Sequence, residues 1–129
     1  MITISMPLGI SMGVKKSKMY YFNLNNYRNW HYQVSNELKK RYKDIASNKL
    51  EEHDISFENV ELTFIMYRKD KRKIDRANVL SVHEKFFCDS LVELGYITDD
   101  NDNHITSSHY YTGGVDKDNP RVDITIQEV

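Results

Sequence analysis

The stretch KIDRANVLSVHEKFFCDSLVELGYITDDNDN, residues Lys73–Asn103, decides the fold. A basic run ends there in an isolated aspartate, Asp75. Ser81–Val82–His83–Glu84 then has the form of a capping box, which predicts a helix from Ser81 to Leu94, with Asn78 as an alternative start. Gly95 is placed to end that helix in the left-handed conformation. On a helical wheel Phe87, Leu91 and Leu94 form an apolar stripe. Lys85, Asp89 and Glu93 form a row on nearly the opposite side, each one turn from the next. Val82 and Phe86 share the Lys85 face, so that face is expected to meet a dimer partner, another element or a ligand. Asp99, Asp100 and Asp102 follow the helix at once.

Outward from this stretch the chain alternates strands and helices. Ile2, Ile4 and Met6 alternate with Thr3 and Ser5, a short strand ended by Pro7 and Gly9. Residues 9–24 lack a clear period and read as a loop holding an irregular strand. Trp30, Val34, Leu38 and Tyr42 recur every four residues, which predicts a helix from about Asn26 to Ala46. Ser47 to Phe57 reads as a polar connection. Val60, Leu62, Phe64 and Met66 mark a second strand, Ile105 to Tyr111 a third, Gly113 to Pro120 a loop, and Val122, Ile124 and Ile126 a last strand closing a hairpin-like end. The order β, α, β, α, β, β predicts an α+β fold: a single mixed sheet of about four strands with two main helices on one face.

At 129 residues with a net charge of −1, the chain is one domain, 1–129, with a modest core. Its single cysteine, Cys88, rules out an internal disulfide framework and fits a reducing cytosol. No apolar run reaches membrane-spanning length, and the N-terminus lacks the plan of a signal peptide. Charge is sorted along the chain. Lys15, Lys16, Lys18, Arg28, Lys39, Lys40, Arg41, Lys43 and Lys49 are opposed in their segment only by Glu37 and Asp44. A second block holds Arg68, Lys69, Lys71, Arg72, Lys73 and Arg76. From Asp89 to Asn103 there is no lysine or arginine. Such sorting can build a basic groove around an acidic metal site, the pattern of a protein that grips a polyanion. Between Lys15 and Tyr32, lysines interleave with aromatic residues, as single-stranded or distorted DNA requires. Trp30 itself is assigned to the core, and Lys15, Lys16, Lys18 and Arg28 to phosphate contact.

The acidic turn opens like a calcium loop at Asp100–Asn101–Asp102–Asn103. However, Ile105 stands where the glycine belongs and Tyr111 where the bidentate glutamate belongs, which excludes an EF-hand. The histidines His31, His53, His83, His104 and His109 show no zinc spacing. Cys88 reads as packing rather than nucleophile. No glycine-rich phosphate loop is present, and no small-molecule substrate is implied.

The Asp75–x–x–Asn78 step, the Lys85-to-Asp89 helix, Leu91, Gly95 and the Asp99–Asp100 pair resemble RusA-like Holliday junction resolvases, small homodimeric endonucleases of phages and prophages. The motif region covers about a quarter of the chain, and the flanking strands fit loosely. The resemblance implies Mg²⁺-dependent cutting of four-way DNA junctions, with Mn²⁺ as a substitute, in the cytosol of a bacterial host. By motif match Asp75, Asp99 and Asp100 are the metal ligands, and Asp75, Asp100, Lys85 and Asp89 the catalytic set. Lys15, Lys16, Lys18, Arg28, Lys69, Lys71, Arg72, Lys73 and Arg76 contact DNA. Two departures stand out: Ala77 occupies the place of the family's second aspartate, and Asn78 to Asp89 is about one helical turn longer. A catalytically weak junction-binding protein of the same fold is the alternative. A helix starting at Ser81 lets the extended residues 75–81 double back about 20 Å to bring Asp75 beside Asp99–Asp100. A start at Asn78 strands Asp75 at the far end and favours a site shared across the dimer.

Overall fold

The computed structural model describes residues 1–53 and 56–129. Alternation makes strands β1 (Ile2–Met6), β4 (Val60–Arg68) and β6 (Arg121–Glu128), whose buried side chains turn to one face, while Ile65 and Tyr67 of β4 lie on the other. With β5 (Ile105–Val115) they form a mixed sheet in the order β1-β6-β4-β5. β4 and β5 are parallel, and the other pairs antiparallel. One row across the sheet runs Ile4, Ile124, Phe64, Tyr110, all on the helix-covered side. The architecture is the expected α+β sheet with two long helices on one face. The expected hairpin-like end is corrected: β5 and β6 flank β4 on opposite sides. Arg121 ties the intervening turn to the sheet, pairing with Asp116 at 2.8 Å and Asp123 at 3.0 Å.

Residues 9–24, expected as a loop, contain a separate hairpin of β2 (Gly9–Met12) and β3 (Lys18–Tyr21), with Lys15 and Lys16 in its turn. The single helix expected from Asn26 to Ala46 is two: α1 (Leu24–Asn29) and α2 (Tyr32–Leu50). Trp30 breaks the run in an extended conformation, and its ring packs edge-on against Tyr20, Phe22 and Tyr27. His31 then caps α2, its ring accepting a hydrogen bond from the Gln33 amide. Leu38, Tyr42, Ala46 and Leu50, four apart, are the buried stripe of α2. The helix therefore continues into the expected Ser47–Phe57 connection; the part of that connection at residues 54 and 55 lies outside the described residues.

α3 spans Arg76–Glu93, beginning five residues before the expected start at Ser81. Its N-cap is Asp75, whose Oδ1 accepts from the Ala77 amide at 3.0 Å. The earlier start buries Val79 and Leu80, two side chains contributing about 1.5–3 kcal/mol each. At the other end Gly95 takes φ +81°, as expected, while the Tyr96 amide closes back onto Leu91. α3 is buried on two sides. Phe87 meets Phe64 of the sheet, while Phe86 packs among Phe22, Tyr27 and Tyr42. Val82 and Phe86 are 2% and 1% exposed, so they belong to this chain's own core and offer no face to a partner. No helix among the described residues is long and apolar enough to cross a membrane.

Candidate functional site

Burial of α3 on both flanks leaves a strip with Lys85 exposed and Ser81 and Glu84 half-buried, and Cys88 is buried at its base. Facing it are the start of β5 and the turn after α3. Together they border an open cavity of about 500 Å³. Asp100 and Asp102 line it from the turn, and Thr106, Ser107 and Ser108 from β5.

The cross-sheet row fixes one wall. Tyr110, the last residue in that row, stacks edge-on against Phe64 at 5.8 Å and donates its hydroxyl to Glu84 Oε2 at 2.8 Å. Burial, and next the bond to Glu84, push the Tyr110 hydroxyl's pKa above its usual value, so it stays a donor. The turn is built by its own side chains. Asp99 accepts from the Asp100 amide at 2.7 Å and from the Asn101 side chain at 3.3 Å, and Asn101 accepts from the Asn103 amide. Asp99 thus shapes the turn, and Asp100 and Asp102 reach the cavity.

The electrostatics mark the same place. The Cys88 thiol is pushed up to about 12, first by burial and then by the negative fields of Glu84, Asp100 and Asp89. A thiol so placed is a poor nucleophile, in keeping with its reading as packing. Burial also raises the Asp89 carboxyl, against the opposing fields of Lys85 and Lys39. Glu93, the end of the expected ladder, pairs at 3.0 Å with Lys43 of α2.

The structure brings Asp100 and Lys85 to one cavity, with Asp89 near enough for its field to be felt there. It does not bring Asp75 to them. Asp75 sits at the helix cap, about 14 Å along the axis from Glu84 at 1.5 Å per residue. The metal set Asp75, Asp99 and Asp100 is therefore not assembled within one chain, and Ala77, exposed in the first turn of α3, adds no oxygen. Among the described residues no three His, Cys, Asp or Glu side chains form a group that could hold a metal unaided. Magnesium asks for less: one or two carboxylates, with water and substrate phosphate completing the shell. Glu84 and Asp100, both lining the cavity, carry oxygen donors of the type that ion takes. The sequence places Glu84 at N3 of a capping box, which gives no sign of a site role. Its place beside Lys85 on the open strip shows only once both flanks of α3 are known to be buried.

The basic residues fall on two segments. Lys15, Lys16 and Lys18 lie on the β2–β3 hairpin and Arg28 on α1; Lys69, Lys71, Arg72 and Lys73 lie on the β4–α3 loop and Arg76 opens α3. All nine are exposed. The segments meet where the Leu24 amide donates to Asn78 Oδ1 at 3.2 Å. No protein-family model matches this sequence, and no curated protein matches it.

Proposed function

We propose that this protein is a divalent-metal-dependent endodeoxyribonuclease that cuts branched DNA, four-way junctions foremost, in phage or prophage recombination and repair within a bacterial cytosol. The observation that carries the reading is the single cavity lined by Glu84, Asp100 and Lys85. Two basic segments, at the capped end of the same helix, supply the grip on DNA.

In this reading Glu84 and Asp100 would hold Mg²⁺, or Mn²⁺ in its place, with Asp102 beside them. The ion supplies Lewis acidity toward the scissile phosphate and a more acidic water. Tyr110 holds the Glu84 carboxylate in place through its hydroxyl. The Lys85 ammonium offsets charge developing on the phosphate oxygens. Ser108, on the same face of β5 as Tyr110, donates a hydrogen bond to the same phosphate. Asp89, set back toward α2, lies in the fields of Lys85 and Lys39 and does not touch DNA. The basic residues neutralise phosphates, giving affinity and salt dependence without sequence choice. A two-fold homodimer would present two such cavities for paired nicks.

A specific observation favours the second reading, a junction-binding protein that does not cut. Asp75 is engaged as a helix cap and Ala77 offers no ligand, so two of the family's acidic positions contribute nothing within the chain. Cleavage of an end-labelled synthetic four-way junction, with and without Mg²⁺, separates the two. Symmetric nicks that need the metal and vanish in Asp100→Asn and Glu84→Gln support the nuclease. Tight binding by the wild type without nicks supports the alternative. Absence of both sinks the DNA reading.

A further inference from the structure

A second cavity, of about 300 Å³, lies where the two basic segments meet. This is at the lower end of the roughly 300–1,000 Å³ typical of small-molecule sites. Its lining differs in kind from the acidic cavity. Leu8, Phe22, Met66 and Val79 supply an apolar floor, and at the rim Tyr21 and Ile74 are 49% and 42% exposed. Arg68 and Lys69 also line it. Arg68 donates through one terminal nitrogen to the Arg72 carbonyl at 2.9 Å, while its Nε is buried with no hydrogen-bond partner among the described residues. That N–H is closed off from the cavity, but the Arg68 charge has no carboxylate partner among the described residues, so an anion in the cavity would meet an uncompensated guanidinium.

We infer that this cavity takes one nucleotide unit of a DNA strand, the base against the apolar floor and Tyr21, the phosphate on Arg68 and Lys69. The inference rests on the nucleic-acid reading above. A small apolar acid would suit the floor and the guanidinium alone. The strand is favoured because the cavity is where two runs of exposed cations converge, Lys15, Lys16, Lys18 and Arg28 on one side and Lys71, Arg72 and Lys73 on the other. A phosphodiester chain follows such a track, and a planar apolar base is what it carries beside each phosphate. At a branch point bases lie outside continuous stacking, so lifting one out costs less than within a duplex.

Two experiments on the whole protein test this. In the first, amide shifts in ¹H–¹⁵N spectra are followed during titration with thymidine monophosphate, thymidine or inorganic phosphate. The monophosphate is expected to shift amides around residues 21–26, 66–69 and 74–79, and to bind at least tenfold tighter than either fragment. Arg68→Gln should weaken it about tenfold, the loss of one charge-assisted hydrogen bond. Ile74→Glu, an exposed change that leaves the floor intact, should weaken it as well. Equal binding of phosphate and monophosphate, or no shift in this region, would overturn the inference. In the second experiment a four-way junction carries 2-aminopurine at the branch point. The wild type should alter its fluorescence on binding, and Ile74→Glu should not. Normal junction cleavage with an unchanged probe would remove the base site and leave the nuclease standing. Monophosphate binding without junction binding would keep the pocket and remove the nuclease.

Discussion

His83 makes acid stability a quantitative test of the packing around α3. Its ring is wholly buried among Phe22, Tyr42 and Phe86, with Nδ1 2.9 Å from the Tyr42 hydroxyl and Nε2 without a partner among the described residues. Burial lowers its pKa from 6.5 to about 3. The folded protein therefore keeps the ring neutral where the unfolded chain would bind a proton. The stability this represents is fully present above pH 6.5 and is lost as pH falls toward 3, at about 1.4 kcal/mol per pH unit. Between pH 7.5 and pH 5 the loss from this residue should be about 2 kcal/mol, a large part of the ~5–15 kcal/mol holding a typical domain. Urea unfolding at pH 7.5, 6.5, 5.5 and 5.0 measures it. The comparison is Tyr42→Phe/His83→Phe, which removes both partners of the buried bond and should stay within about 1.5 kcal/mol of wild type at pH 7.5. Its free energy should fall less steeply, by up to one proton, between pH 6.5 and 5. Parallel pH profiles for the two proteins would mean that His83 is hydrated or charged in the native state, and the reasoning would fail.

Other consequences can be read from single changes. Asp75→Ala should cost about 1 kcal/mol by removing the cap of α3, whereas Asp75→Asn should keep both stability and junction nicking, as thermal unfolding and the cleavage assay would show. Loss of nicking in a stable Asp75→Asn would instead place Asp75 in the chemistry, delivered from a second chain. Native Cys88 should resist Ellman's reagent at pH 8 and react at once in urea; fast native reaction would contradict its burial and raised pKa. Phe86→Ala should cost about 3–5 kcal/mol in urea unfolding, since the side chain fills the α1–α2–α3 interior; a loss below about 1 kcal/mol would return this face to the surface. Tyr110→Phe should slow nicking through a looser Glu84 while junction affinity stays within about twofold.

The parts of the fold that follow from local rules were legible. Ile2–Ile4–Met6 and Val122–Ile124–Ile126 announce strands with a single buried face, and Gly95 announces the end of α3. What escaped was set by choices among neighbours. Ser81 and Asp75 both carry good capping chemistry, and the burial of Val79 and Leu80 decided for Asp75. Trp30 broke a pattern that ran four-by-four through it, because its ring is held by Tyr20 on a hairpin that shows no clear period. Alternation marks β5 and β6 as strands but does not say that β4 would lie between them. Lys85 and Asp100, which the motif singles out, line one cavity. Glu84 is hidden in the sequence, since its position is fixed by Tyr110, a hydrogen-bond partner 26 residues away.

The strand order carries a consequence for synthesis. β6 is the last element in the chain, yet it lies inside the sheet, and β1, the first, has no sheet neighbour except β6. As the protein leaves the ribosome, Ile2, Ile4 and Met6 must wait for Ile126, Ile124 and Val122, an interval of about 120 residues. At roughly 5–20 residues per second, the nascent chain spends about 6–24 s with β1 unpaired. A ribosome that stalls or terminates a few codons before Val122 would release β1 unpaired and β4 with one edge bare, the kind of fragment that cells recognise and destroy.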